Sequence, residues 1–231
     1  MALYSLPIVY ATSKFIVRCF SLLLLRIRLI FDSLPPKPPF IIAANHISHF
    51  DPPLLTLAFK HHLDFMTTSE LFDSKIIAAW LRMVGCFPVN REKTDSRAAR
   101  EALKRLRDGR IVVIYPEGGI RTGYQSILNG ACINNDLATL AYLADCPVIP
   151  SLIIGSDQLY AYKKIWRRPQ ILIRFGPPLY KPIEIPNKHE SIALWTSRIS
   201  RCLRELYEIS QKQNLITPSM IPRTAQERWQ E

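Results

Sequence analysis

Phe40-Ile41-Ile42-Ala43-Ala44-Asn45-His46-Ile47-Ser48-His49-Phe50-Asp51-Pro52 decides how this chain is read. The first five residues are uninterruptedly apolar, the pattern of a strand buried on both faces. An imidazole and a carboxylate follow directly. Asp51-Pro52 reads as a helix N-cap with proline at the first helical position. That leaves His46 in the turn before the helix, where it folds back onto Asp51. Along a continuous helix, residues with this spacing would point about 140° apart. Histidine titrates near neutral pH and suits taking a proton from a hydroxyl, while the carboxylate holds the tautomer that frees one ring nitrogen. The spacing alone is weak: with five histidines in the chain, a chance His-x4-Asp arises roughly one time in five.

Outward from this stretch, strand-like and helix-like runs alternate. A helix is expected from residue 52 to about 60, a strand at 63–67, a helix at 74–83 and a short strand at 87–89. Asp95 or Ser96 caps a helix through Asp108, which Gly109 ends. Residues 111–115 form a buried strand, 133–144 a helix, 148–154 and 170–175 strands, and 189–212 a final amphipathic helix. This alternation predicts an α/β fold, a largely parallel sheet flanked by helices.

Residues 4–31 are apolar but interrupted by Lys14, Arg18, Arg26 and Arg28. The charge-free runs are too short to span a bilayer as a helix. On a helical wheel Lys14, Arg18, Ser21 and Arg28 share an arc of about 80°. Phe15, Ile16, Leu22, Leu23, Ile27 and Ile30 lie opposite, although Leu25 falls inside the basic arc. Residues 1–34 are therefore expected to be an amphipathic helical segment lying in the membrane interface, basic residues toward anionic headgroups. The bland alternative is a helix packed on the protein's own core. Pro35-Pro36-Lys37-Pro38-Pro39 reads as a stiff linker. A catalytic domain is expected over 40–213 and a frayed tail over 214–231. Neither an early basic region nor a small-residue cleavage site suggests a signal peptide.

The 231 residues suit one sizeable core, and the net charge of +11 implies an anionic partner. Basic residues interleaved with aromatics on a recognisable nucleic-acid module are not found, so nucleic acid is not an expected partner. The five cysteines are scattered, without a Cys-x-x-Cys pair, which argues for a reducing compartment and against structural zinc. His46, His49 and Asp51 are ligand types, but no fourth cysteine or His-Glu-x-x-His helix supports a metal site. His49 competes with His46 for the base role and lacks a carboxylate at the same offset. The chain has no Gly-x-Ser-x-Gly elbow, which disfavours a serine hydrolase.

The His46–Asp51 stretch resembles the His-x4-Asp motif of the glycerolipid acyltransferase superfamily, particularly the lysophosphatidic acid acyltransferases. Gly85-Cys86-Phe87-Pro88-Val89-Asn90-Arg91 resembles that family's second block, Tyr115-Pro116-Glu117-Gly118-Gly119-Ile120-Arg121 its third, and Cys146-Pro147-Val148-Ile149-Pro150 its fourth. The third block is usually Phe-Pro-Glu-Gly-Thr-Arg. Here Gly119 replaces the threonine and the arginine moves one place, to Arg121.

The resemblance implies direct transfer of an acyl group from a thioester of coenzyme A or acyl carrier protein to a lysophospholipid hydroxyl. No nucleophile or bound cofactor is needed. It implies His46 as base, Asp51 as its orienting partner, and acceptor binding at Glu117 and Gly118. Arg91 offers bidentate bonds to a phosphate, and Gly118 and Gly119 expose backbone donors. Glu117, an anion, more naturally ties down its loop or Arg121. Arg91 and Arg121 have a bland alternative as surface arginines paired with neighbours. Phe87, Pro88 and Ile149 read as wall or core.

The expected enzyme is thus attached to the cytoplasmic face of a membrane and converts 1-acylglycerol 3-phosphate to phosphatidate. The rivals are the same chemistry on another lysolipid or lipid alcohol, and a non-catalytic membrane-binding protein on this fold.

Overall fold

The computed structural model describes residues 6–90, 95–183, 185 and 187–230. β1 (Arg26–Phe31), β2 (Phe40–Ala44), β3 (Leu63–Thr68), β4 (Phe87–Val89), β5 (Ile111–Ile114), β6 (Val148–Ile154) and β7 (Gln170–Phe175) form one seven-stranded sheet, in the order β1-β7-β6-β2-β5-β3-β4. The strands pair in parallel except β6 with β7, so the α/β expectation holds.

β2 and β6 are buried along their whole length, which is why both read as continuous apolar runs. Alternate residues of β2 serve opposite layers. Ile41 and Ala43 join α4 (Ser96–Arg107), α5 (Asp136–Ala144) and α6 (Lys188–Lys212) on one face. Phe40, Ile42 and Ala44 join α2 (Asp51–Leu55) and α3 (Lys75–Met83) on the other. The main contact of α6 is a stripe at helical spacing: Ile192, Trp195, Ile199, Leu203 and Leu206 are all buried. Burying each such side chain contributes about 1.5–3 kcal/mol. The sequence-based helix from residue 52 is shorter than expected. It ends at Leu55 and passes into a 3-10 turn, Thr56–Ala58.

Three expectations need correction. Residues 26–31 are not helical. α1 (Pro7–Leu24) stops where Leu25 turns extended, and β1 then pairs with β7 from Arg26↔Gln170 to Phe31↔Phe175. Arg26 and Arg28 alternate with Ile27 and Leu29, the period of a strand, and a sheet edge was waiting for them. Consequently the proline stretch 35–39 is a β1–β2 loop within the sheet, not a boundary before the catalytic domain. The tail is not frayed either: a 3-10 turn (Pro218–Met220) and α7 (Ala225–Trp229) follow α6, and α7 carries a capping box between Thr224 and Glu227.

α1 is turned the opposite way from α6. Tyr10 and Ser21 are its buried residues, and Ser13, Lys14 and Val17 are half-buried on the same side. Ile8, Phe15, Ile16, Leu22 and Leu23 are 63–75% exposed. The expectation that Lys14 faces headgroups is therefore overturned: its Nζ donates to the Phe59 carbonyl. Arg18 remains exposed.

Candidate active site

The site begins where β2 ends. Asn45 leaves the ladder but keeps it satisfied: its side chain donates to the Ile153 carbonyl (2.8 Å) and accepts from the Ile153 N–H (2.7 Å). Both groups are buried, so leaving them unpaired would cost about 1–3 kcal/mol each. The chain then turns, and Asp51 folds back on it. Asp51 Oδ2 accepts from Ile47 N (2.8 Å) and Ser48 N (2.9 Å) and meets His46 Nδ1 at 2.8 Å. Oδ1 accepts from Ser48 Oγ (3.1 Å) and from Ser156 Oγ. The expected N-cap is thus corrected in one respect. Asp51 makes no capping bond to α2; its carboxylate serves the loop that precedes it.

Asp51 is fully buried and His46 nearly so. The imidazole stacks on Tyr115, with ring centroids 4.0 Å apart. With Nδ1 committed to Asp51, Nε2 is the ring nitrogen left for chemistry. Burial, reinforced by the Asp51 charge, holds the Tyr115 phenol well above its ordinary range, so Tyr115 is a neutral wall. His49, the rival base, meets the phenol oxygen of Tyr160 through Nδ1 at 2.5 Å.

Glu117 is a clip. Oε2 accepts from His46 N (2.7 Å), and Oε1 from Ile127 N (2.8 Å) and Ser126 Oγ (3.0 Å). Burial raises its carboxyl despite these donors. It therefore joins the His46 loop to residues 126–127 and not to Arg121. Gly118 takes φ +68° and closes a turn onto Tyr115 O (3.0 Å); Gly119 is buried beside it. Arg121 N donates to His46 O at 2.8 Å, and the residue is exposed. The extra residue of the third block, Ile120, lines the cavity. Arg91 lies outside the described residues.

A cavity of about 870 Å³ runs from His46 along α3 and β3, largely apolar, with Phe65, Met66, Leu81 and Val84 in its walls. α1 covers it through Tyr10, Ser13, Lys14 and Val17. Three attachments hold α1 there besides Lys14. Leu6 N donates to Met83 O (3.0 Å). Tyr10 stacks on His62 (3.6 Å) and its hydroxyl accepts from Leu63 N (3.2 Å). Arg168 Nη2 donates to Leu22 O (3.0 Å) at the negative end of the helix.

Below Tyr10, buried Asp64 pairs with Arg110 (2.5 Å), His62 (3.3 Å) and Arg105 (3.4 Å). Burial would raise this carboxyl, but Arg110, His62 and Arg105 together hold it below its usual range. The second block's Gly85 fits only here as glycine. Its φ is +91°, and a Cβ would lie 2.4 Å from His62 Cε1 and 2.7 Å from Asp64 Oδ1.

A family profile described as Acyltransferase matches residues 26–154, from β1 through β6. The chain belongs to the acyltransferase family. Its relatives are chiefly 1-acyl-sn-glycerol-3-phosphate acyltransferases. That of Bacillus subtilis is 26% identical over 180 residues, 76% of this chain and 84% of that protein. That of Streptococcus pneumoniae is 28% identical over 151 residues, 64% and 53% of the two chains. A lyso-ornithine lipid O-acyltransferase of Rhizobium meliloti is 32% identical over 104 residues, 44% and 35%. The crystal structure of the 1-acyl-sn-glycerophosphate (LPA) acyltransferase PlsC from Thermotoga maritima superposes with a TM-score of 0.59 at 21% identity, covering 86% of this chain and 80% of that one. It shares the fold.

Within this acyltransferase, the structure brings together His46, Asp51, Glu117, Gly118, Gly119 and the Arg121 backbone. Sequence reasoning missed Ser156 and Tyr160, which reach the His46 loop from about a hundred residues away in the chain and carry no local signal. It also missed Asn45, whose place directly after an apolar strand was the available cue.

Proposed function

We propose that this acyltransferase moves a fatty acyl group from a coenzyme A or acyl carrier protein thioester to the free hydroxyl of 1-acylglycerol 3-phosphate, giving phosphatidate. The observation that carries this reading is an Asp51-held imidazole in the wall of an apolar cavity large enough for an acyl chain. His46 Nε2 takes the hydroxyl proton as the oxygen attacks the thioester carbonyl carbon. The carbon–sulfur bond then breaks, and the departing thiolate takes the proton back from the imidazolium. Asp51 stabilises the transient imidazolium and remains ionised. Arg121 and Arg91 supply the charge for the acceptor's phosphate, as the block matches imply, and Glu117 holds the loop on which Arg121 enters.

Membrane association at the cytoplasmic face belongs to the same reading. Pro7–Leu24 has the length and composition to cross a membrane, with a mean hydropathy of 1.4, but Lys14, Tyr10 and Arg168 hold it against the protein. It lies in the interface instead, its apolar face toward lipid. A second reading, transfer to another lysolipid, draws on the altered third block and on the lyso-ornithine lipid relative.

The test is transfer of labelled acyl chains from acyl-coenzyme A to a lysolipid panel by purified wild type and His46→Ala. Phosphatidate made by wild type alone fits the proposal. Product only from another lysolipid replaces the acceptor. Equal activity in His46→Ala removes the base.

A further inference from the structure

The Asp51 carboxylate has five hydrogen-bond contacts among the described residues, and four of them come from residues 46–48 of its own loop. Those four move with the loop. The fifth, Ser156 Oγ on Oδ1, comes from the end of β6. It is the one of the five that comes from outside the loop, and it joins Ser48 Oγ in holding Oδ1 while Oδ2 faces His46.

Ser156 opens a 3-10 turn, Ser156–Tyr160, that follows β6 immediately. Gly155 makes the turn possible. Its φ is +88°, and a Cβ there would lie 2.4 Å from the Gln170 carbonyl. The turn touches the His46 loop a second time through Tyr160, whose oxygen accepts from His49 N at 3.0 Å.

Its other side is held by the C-terminal segment. Asp157 Oδ2 accepts from Arg223 N (2.9 Å) and Arg228 Nε (2.7 Å) and pairs with Arg228 Nη2 at 2.7 Å. Arg228 also donates to the Ser219 (2.9 Å) and Ile221 (3.0 Å) carbonyls. Asp157 is fully buried and Arg228 nearly so. An arginine taken out of water needs acceptors of this kind. Trp229 adds an edge contact to Tyr160, ring centroids 6.4 Å apart. Both the turn and the C-terminal segment lie beyond the residues the family profile matches.

We propose that Ser156 is a positioning residue for the His46–Asp51 pair, and that residues 217–230 hold it in place through the buried Arg228–Asp157 pair. The inference rests on His46 acting as the base.

Steady-state kinetics on the full-length protein test it, with thermal melts to report folding. Ser156→Ala and the isosteric Ser156→Cys are expected to lower kcat about tenfold and to leave KM for both substrates within about twofold, because a misaimed base slows chemistry and not binding. Arg228→Met is expected to lower kcat similarly. Combined with Ser156→Ala it should cost no more than the worse single variant, since both act on one contact. Should Arg228→Met fail to fold, Arg228→Lys keeps the charge, loses the fork and carries the same comparison.

An unchanged kcat in Ser156→Ala, a loss in KM alone, or fully additive losses in the double variant would overturn the proposal. His46→Ala separates the two levels. If it is inactive while Ser156→Ala matches wild type, only the positioning role falls. If it is active, the base assignment falls first.

Discussion

α1 and α6 are the two longest helices among the described residues, and they are mounted in opposite senses. α6 buries Trp195, Ile199 and Leu203 against the sheet. α1 presents Tyr10, Ser13 and Lys14 to the protein and leaves Phe15, Ile16, Leu22 and Leu23 outside. Water drives the first arrangement, because it removes apolar area from solvent. The second has no such reward in water. The difference teaches that apolar residues on a helix do not by themselves say which side faces the protein: the polar partners do. Lys14 finds the Phe59 carbonyl and Tyr10 finds Leu63 N, and these contacts decide the orientation.

The largest effect that can break this contrast is on folding. Trp195→Ala, at a fully buried site, is expected to cost about 3–5 kcal/mol in denaturant unfolding. Phe15→Ala should stay within about 0.5 kcal/mol. Comparable losses would mean that α1 packs like α6 and that its exposed face is misassigned.

The next effect is on membranes. Replacing Phe15 and Leu22 together with glutamate removes two side chains, each contributing about 1.5–3 kcal/mol if buried in lipid. Sedimentation with anionic vesicles should weaken about a hundredfold or more, at about 1.4 kcal/mol per tenfold, with the melting temperature little changed. Undiminished vesicle binding would move the anchor away from α1. Deleting residues 1–34 is the wrong test, since it would also strip β1 from the sheet.

The smallest effect is on thiol labelling, for which each helix carries a probe. Burial pushes the Cys202 thiol on α6 up to about 11, so at pH 8 only about one in a thousand molecules is the reactive thiolate. Its alkylation should be slow, quicken as pH approaches 11, and ignore vesicles. Cys19 on α1 should label more slowly once anionic vesicles are added. Equal protection of both sites would erase the contrast.

The central strands were legible because each is a short apolar run bounded by turn residues, and the His46–Asp51 pair because a proline fixed the turn beside it. β1 was hidden by its neighbour. Only Arg26 to Leu29 alternate before the apolar Ile30 and Phe31, so the period-two signal is four residues long. A wheel drawn through it and the preceding apolar helix blurs the change of period at Leu25. α7 had a usable sign in Thr224-Ala225-Gln226-Glu227, a capping-box sequence, that composition near a chain end discouraged. Ser126 and Ser156 could not have been found at all. Their hydroxyls meet Glu117 and Asp51 through the fold, and serine is too common to stand out.

The pairing of β1 with β7 also bears on the order in which the chain is made. Arg26 waits for Gln170, so β1 stays without its partner until β7 has left the ribosome. α1, immediately ahead of it, exposes its apolar face from the start. A nascent chain therefore displays the apolar face of α1 before it has a finished sheet.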